Sequence, residues 1–434
     1  MKRLILLLIL PAVLFAGSWE TFDTSNSPLP SNEIHAVCIE PSGVKWFGTD
    51  AGLVRFDGSG WLVFDKTGDQ QTLADNDISD IAFERTSHGP EIWVGTRNGL
   101  TILDVDGFSF ATPYRQDNRP LLSNRIHAVA VDSNHVKWFA TDQGVSIFNG
   151  SDWWTLTEEN EMLKQDDVLC IGIDNECDSL WRYFGTSETG VSRIYYRDLD
   201  AMTTASPYDR SWTIMMSDSI TAFLVIHTQK HWIGTGFGLY EHDSTETKRN
   251  WNVFTTYEGL VHNAVRSLAK GTDGSIWVGT RGGVSQYKEG EFKNYSRSDG
   301  LAADQVNDIA VDNDGSVWFA TQAGVSHFTE ETAVNADSPV PVRSRLLANF
   351  PNPFNPVTTI AYELVHGSWV KLSVFDVKGR EVKRLVFGIR TDGIHQAVWD
   401  GTDQALQAVP AGLYFARLSV GKELSACIKM LLIR

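Results

Sequence analysis

One frame, written seven times, constrains this chain more than anything else in it. "KWFGTDAGLVRF" (residues 45–56) returns as "IWVGTRNGLTIL", "KWFATDQGVSIF", "RYFGTSETGVSRIY", "HWIGTGFGLYEH", "IWVGTRGGVSQY" and "VWFATQAGVSHF". The shared threonines are Thr49, Thr96, Thr141, Thr186, Thr235, Thr280 and Thr321, spaced 47, 45, 45, 49, 45 and 41 residues apart. A period in the forties is the mark of a radial array in which each repeat is one four-stranded blade. Unit one contains four short apolar runs, "IHAVCIE", "VKWFGT", "GLVRF" and "WLVF", separated by turn residues. Seven such units predict an all-β chain whose main part is a seven-bladed β-propeller. An aromatic marks the fourth strand in six units (Trp61, Phe108, Trp154, Trp212, Trp251, Phe292), and none follows the seventh. A spare copy of that strand, "SWETF" with Trp19 and Phe22, precedes unit one. Residues 18–23 are therefore expected to supply the outer strand of the last blade and close the ring.

The repeated residues have structural explanations. Trp46, Trp93, Trp138, Tyr183, Trp232, Trp277 and Trp318 are large apolar groups that fill the space between blades. Gly48, Gly95, Gly185, Gly234 and Gly279, with Ala140 and Ala320, keep the second strand thin where blades converge. The later glycine of each frame suits the positive φ of a tight hairpin. Asn32, Asn76, Asn124, Asp166, Asp218, Asn263 and Asp304 read as turn caps.

Function is then sought in what varies. The turns between Thr and Gly contribute Asp50, Arg97, Asn98, Asp142, Gln143, Glu188, Phe237, Arg281 and Gln322, and they should ring one mouth of the central channel. Strand alternation puts the entry to each first strand on the same face, adding His35, His127 and Arg266. A fixed scaffold with variable loops is how binding sites are commonly carried, here for a glycan, peptide or protein. Arg97 and Arg281 are expected to converge on a carboxylate, and Phe237 to act as a stacking platform. The opposing reading makes the same turns unconstrained solvent loops.

The chain's 434 residues suffice for more than one domain. "MKRLILLLILPAVLFAGS" has a basic start, an apolar run of 13 residues and small residues at its end. It reads as a secretory signal peptide over residues 1–17, too short for the roughly 20 residues a spanning helix needs. No later segment is long enough either, so the mature chain is expected to lack a membrane-spanning segment. Of the net charge of −17, residues 331–434 hold +3 and the first three residues +2, which leaves about −22 on residues 4–330. Such a body repels phosphates, and nucleic acid is not an expected partner. Cys38 and Cys170 sit where sister repeats carry small residues and read as core, with a Cys170–Cys177 bridge the less favoured alternative. Residues 331–345 read as a linker. Beyond them the 45-residue period stops, and six or seven strand-like runs in residues 346–434 fit a small Ig-like β-sandwich.

The seven frames resemble the two-component regulator propeller repeat of extracytoplasmic sensors and secreted proteins, over residues 18–330. Ala140, Ala320 and Tyr183 depart from its pattern. The stretch "NFPNPFNPVTTIAYEL", with "VFDVKGREV", "WDGTD", "PAGLYFARL" and the terminal "KMLLIR", resembles the C-terminal sorting domain of type IX secretion, itself similar to the Ig-like domain of flagellar hook-capping proteins. That resemblance implies export through the periplasm to the medium or outer surface of a Gram-negative-type bacterium, with the secretion machinery as a partner.

Catalytic motifs are missing: no Gly-x-Ser-x-Gly, His-Glu-x-x-His, phosphate loop or Cys-x-x-Cys occurs. "DNDG" and "GTDG" lie in hairpin turns and lack the distal Glu of a calcium loop. No cofactor or metal is expected. A non-catalytic binding protein is the leading reading. A hydrolase or lyase using carboxylates or a His at the mouth, and a sensor component reporting to a partner, are the alternatives.

Overall fold

Successive strands within a unit are joined by short turns and pair antiparallel, so each unit forms its own sheet. The computed structural model describes residues 17–66, 73–173, 181–195, 219–227, 230–243, 250–330, 345–364, 368–376, 380–405, 407–420 and 423–433. The proposed signal peptide (but for Gly17), Cys177, Trp212, Asp218 and nearly all of the proposed linker lie outside these residues.

Blades one, two, three, five and six are four-stranded sheets in sequential order, and blade four shows three strands among the described residues. Blade one consists of Ile34–Ile39, Lys45–Thr49, Gly52–Phe56 and Trp61–Phe64. The fourth strand of blade two is only Ser109–Phe110; Phe108, expected inside it, precedes it at φ 47°. In blade seven, Ser18–Phe22 pairs with residues 325–329 of the strand Gly324–Thr329. Trp19 packs on Tyr295, Phe319 and Phe328, and Phe22 on Phe56, Trp61 and Trp318. The N-terminal strand thus joins blades six, seven and one.

The repeated aromatics are buried at the seams: Trp46, Trp93, Trp138, Tyr183 and Trp232 are at most 2% exposed. Truncating one would cost about 3–5 kcal/mol. A Cβ on Gly48 would lie 2.6 Å from Ile78 of the next blade, which explains the small residue there. The seams also carry charge. Glu84 accepts from Trp93 of its own blade and from Lys137 of the next, and Asp132 accepts likewise from Trp138 and Arg182. Lys45 pairs with Asp312 at 2.7 Å across the seam between blades one and seven. Glu84 and Asp132 each tie an indole N–H to the neighbouring blade, so at these two seams the side chains that bury the seam also fix its register.

Among the turn caps, the Asn32, Asn76, Asn124, Asp166, Asn263 and Asp304 side chains each accept from the backbone of the loop leaving the preceding fourth strand. Cys38 and Cys170 are free thiols, both pushed up to about 12 by burial.

The chain divides into two compact units, residues 1–332 and 333–434. The second is a sandwich of a three-stranded sheet (Arg345–Phe350, Thr358–Leu364, Gly393–Trp399) and a four-stranded one (Glu381–Arg390, Ser368–Asp376, Gly412–Val420, Glu423–Leu432). Ile360, Val370, Leu372, Trp399, Ala416 and Met430 form its core.

Candidate functional site

Inner strands converge on the axis, and every one of them is interrupted at the same place. The register slips between Ile34 and Ala36, Ile78 and Asp80, Ile126 and Ala128, Val168 and Cys170, Ile220 and Ala222, Val265 and Ser267, and Val306 and Asp308. A β-bulge adds one residue and re-aims a side chain. The added residues are His35, Ser79, His127, Leu169, Thr221, Arg266 and Asn307, and all seven line a channel cavity of about 220 Å³.

Four of these side chains latch onto the blade that follows. His35 Nδ1 donates to the Ile78 carbonyl at 3.0 Å and His127 Nδ1 to the Val168 carbonyl at 2.9 Å. Thr221 Oγ1 donates to the Val265 carbonyl at 2.7 Å and Asn307 Nδ2 to the Ile34 carbonyl at 2.8 Å. Each accepting residue immediately precedes the bulge of its own blade, so the latch is one geometric device served by three residue types. In blade four, where Leu169 cannot donate, the Cys170 thiol lies 3.6 Å from the Ile220 carbonyl. Blades two and six lack the latch, and there Ser79 Oγ and Arg266 Nε are buried without a partner.

Residues just after the bulge complete the ring. Asp80 Oδ1 accepts from Ile81 N–H and its Oδ2 from Val129 N–H of blade three. Asp308 does the same for Ile309 and, across the closure, for Val37 of blade one. Both carboxyls border the cavity yet are enclosed by protein. Burial pushes Asp80 up to about 6; burial and then the charge of Asp80 push Asp308 up to about 7. Neither aspartate was singled out in the sequence. The signal was there, since aligned units carry Ala, Cys or Ser at that position.

The rim turns sit on the same face, as strand alternation implies. The Arg97, Ser187, Arg281 and Gln322 N–H groups each donate to the segment that enters the first strand of their own blade. Asp50, Gln143, Glu188 and Gln322 are exposed, and Phe237 is 67% exposed. The Asn98 carbonyl accepts from Arg115, and Asp142 keeps a buried Oδ1 without a partner. One expectation needs correction. Arg97 is not free to converge with Arg281, because its Nε is 2.7 Å from Asp77 and its blade lies across the ring. The charge that Arg281 meets is Arg266 of its own blade. Asp77 also lies 3.4 Å from His35, and Asp167 lies 3.5 Å from His127. Blades one to four thus give the mouth an acidic side, and blade six a basic one.

Among the described residues no group of three His, Cys, Asp or Glu is placed to hold a metal ion, and no helix is long and apolar enough to cross a membrane. A larger recess of about 670 Å³ lies in the second unit, beside Asp376, Arg380 and Glu381. Its charges are spent on one another, Arg380 on Asp376 and Lys371 and Arg384 on Glu381.

Residues 259–282 and 300–323 match the two-component regulator propeller family, and residues 358–422 match the FlgD Ig-like domain. No curated protein matches the chain. Among solved structures, the extracellular domain of the hybrid two-component system BT3049 from B. thetaiotaomicron aligns over 94% of this chain with 15% identity and a TM-score of 0.56; the alignment spans 53% of that protein. PorZ of Porphyromonas gingivalis, a surface component of the type-IX secretion system, aligns over 94% of this chain and 61% of its own length, with 16% identity and a TM-score of 0.55. A streptogramin B lyase aligns over 72% of this chain and 97% of its own length, with 15% identity and a TM-score of 0.53. At these identities the likeness is one of fold: a β-propeller followed by a small Ig-like domain.

Proposed function

We propose that this chain is an exported, non-catalytic binding protein whose propeller takes an extracellular ligand at the bulge-ringed mouth. The carrying observation is the ring itself: seven equivalent positions, half-buried and yet chemically different, with Arg266 Nε and Ser79 Oγ left without partners in one cavity. A ring needed only for packing would be uniform, as the seam aromatics are. The extracellular and surface neighbours support placing it outside the cytoplasm, and the FlgD-like match together with the PorZ likeness supports reading residues 346–434 as a type IX-like sorting module. A sensor component that reports to a separate partner fits the same site.

A glycan and peptide array on the full chain, followed by hydrogen exchange, tests the reading. A selected ligand should slow exchange in the inner strands, residues 34–39, 126–131 and 265–270. Protection confined to the outer strands or the second unit would move the site elsewhere. A second reading, a lyase or hydrolase, is favoured by one observation: His35 and His127 each lie beside a carboxylate at the mouth, an arrangement that can orient a general base. Release of a shortened or unsaturated product from the bound ligand would establish it.

A further inference from the structure

The bulge ring latches blade to blade at four of its seven positions, and the departures are unequal. Leu169 is apolar and needs nothing. Ser79 is short and neutral. Arg266 is a long cation whose Nε is buried without an acceptor. Nor does a carboxylate neutralise it: Glu33, 51% exposed, acts on it only through space and has its contact with His35 instead. The charge next to it has the wrong sign. Arg281, exposed on the rim turn of the same blade, has no ion-pair partner among the described residues. Burial first, and then Arg281, hold the Arg266 guanidinium below its ordinary value. Three other propeller cations are neutralised, Arg97 on the rim by Asp77 and, in the seams, Lys137 by Glu84 and Arg182 by Asp132. A guanidinium lining the cavity with an unpartnered Nε, and a second on the rim turn of the same blade, form a site that an oxyanion completes, since their planar forks match a carboxylate or phosphate.

We infer that the channel cavity is an oxyanion-binding site in which Arg266 holds the carboxylate of a small polar ligand, with Arg281 adding positive charge from the rim turn of the same blade. This rests on the reading of the mouth as a ligand site and names what the ligand must carry. A carboxylate fits better than a dianionic phosphate, because Asp80 and Asp308 line the same cavity and each further negative charge is opposed by them. The remaining lining suits hydroxyl or amide groups: Ser79, Thr221, His35 and His127 offer donors and acceptors within about 220 Å³, room for one small molecule or the end of a longer one. Phe237 stands exposed on the adjoining blade five, where it can cover the apolar face of such a ligand.

Nitrogen-detected spectra of the arginine Nε–H groups test this in the full chain, with acetate as the bare carboxylate, phosphate as the dianion and chloride as the ionic-strength control. The Arg266 signal is identified by its loss in Arg266→Gln. It should move saturably with acetate in the millimolar range, respond less to phosphate, and stay still in chloride, while the Arg97 signal is unmoved by all three. In Arg281→Gln the acetate midpoint should rise several-fold. A shift that is linear, or equal in chloride, overturns the inference. So does a stronger response to phosphate, which would assign the site to phosphorylated ligands. If an array-selected ligand protects the inner strands but binds Arg266→Gln as well as the parent, the mouth remains a binding site and only the oxyanion assignment fails.

Discussion

The rim turns and the bulge ring are both variable in sequence, seven positions against seven, but they vary for different reasons. On the rim, Asp50, Gln143, Glu188 and Gln322 face solvent, where a side chain is hardly constrained and variation carries little information. In the ring, His35, Ser79, His127, Leu169, Thr221, Arg266 and Asn307 are half-buried between neighbouring blades, where packing and hydrogen bonding constrain them more. Four of them reach one common solution, a bond to the next blade's carbonyl, from different chemistries. Variation is informative where burial would otherwise impose uniformity, and Arg266 is the position that most clearly departs from the common solution.

The comparison depends on a closed circle, so the largest effect should come from opening it. Deleting residues 18–22 removes the buried contacts of Trp19 and Phe22 and leaves the edge of Gly324–Thr329 unpaired. Melting should fall on the order of 10 °C or more, and size-exclusion chromatography should show oligomers formed through the free edge. Within the ring, Asp308→Ala strips Val37 and Ile309 N–H of their acceptor and should cost about 1–3 kcal/mol in denaturant unfolding. Asp308→Asn keeps an acceptor for one of them and should cost less.

The same aspartates give the ring a pH signature. Both hold their protons to higher pH in the folded chain than the unfolded value near 4, so between about pH 4 and 7 the native state binds more protons than the unfolded one. Their contribution to stability is therefore greatest at the acidic end of that window and lost as pH rises through it, with a slope of at most about 1.4 kcal/mol per pH unit for each group. Asp308→Asn should flatten the decline measured by denaturant titration from pH 4.5 to 7.5; an unchanged slope would show that burial of this carboxyl is not felt. Smallest of all should be Asp50→Ala, Gln143→Ala and Gln322→Ala together, within about 0.5 kcal/mol each, as expected for surface sites.

Most of the architecture was legible because it rests on repeated residues whose spacing needs no third dimension: the Trp and Gly frames, the caps from Asn32 to Asp304, and the count that left one fourth strand over at Trp19. The site was legible only in part. His35, His127 and Arg266 could be named from strand alternation, whereas Ser79, Leu169, Thr221 and Asn307 occupy the same register and look ordinary beside them. The bulge that makes them equivalent arises from inner strands crowding an axis, and no local pattern announces it. The seam ties of Glu84 to Lys137 and Asp132 to Arg182 were missed for a similar reason: the partners belong to different blades and lie 53 and 50 residues apart. Arg97 misled because its counter-ion, Asp77, comes from the segment entering the first strand of its blade, 20 residues earlier in the chain.

The central claim is that ligand recognition centres on Arg266 of the bulge ring and not on the solvent-facing rim residues Asp50, Gln143 and Gln322. It is tested most directly by titrating an array-selected ligand into three full-length proteins: the parent, Arg266→Gln, and the Asp50→Ala, Gln143→Ala, Gln322→Ala triple variant. The account predicts at least a tenfold weaker Kd for Arg266→Gln at an unchanged melting temperature, and less than a threefold change for the rim variant. Undiminished affinity in Arg266→Gln, with binding lost in the rim variant, would contradict it.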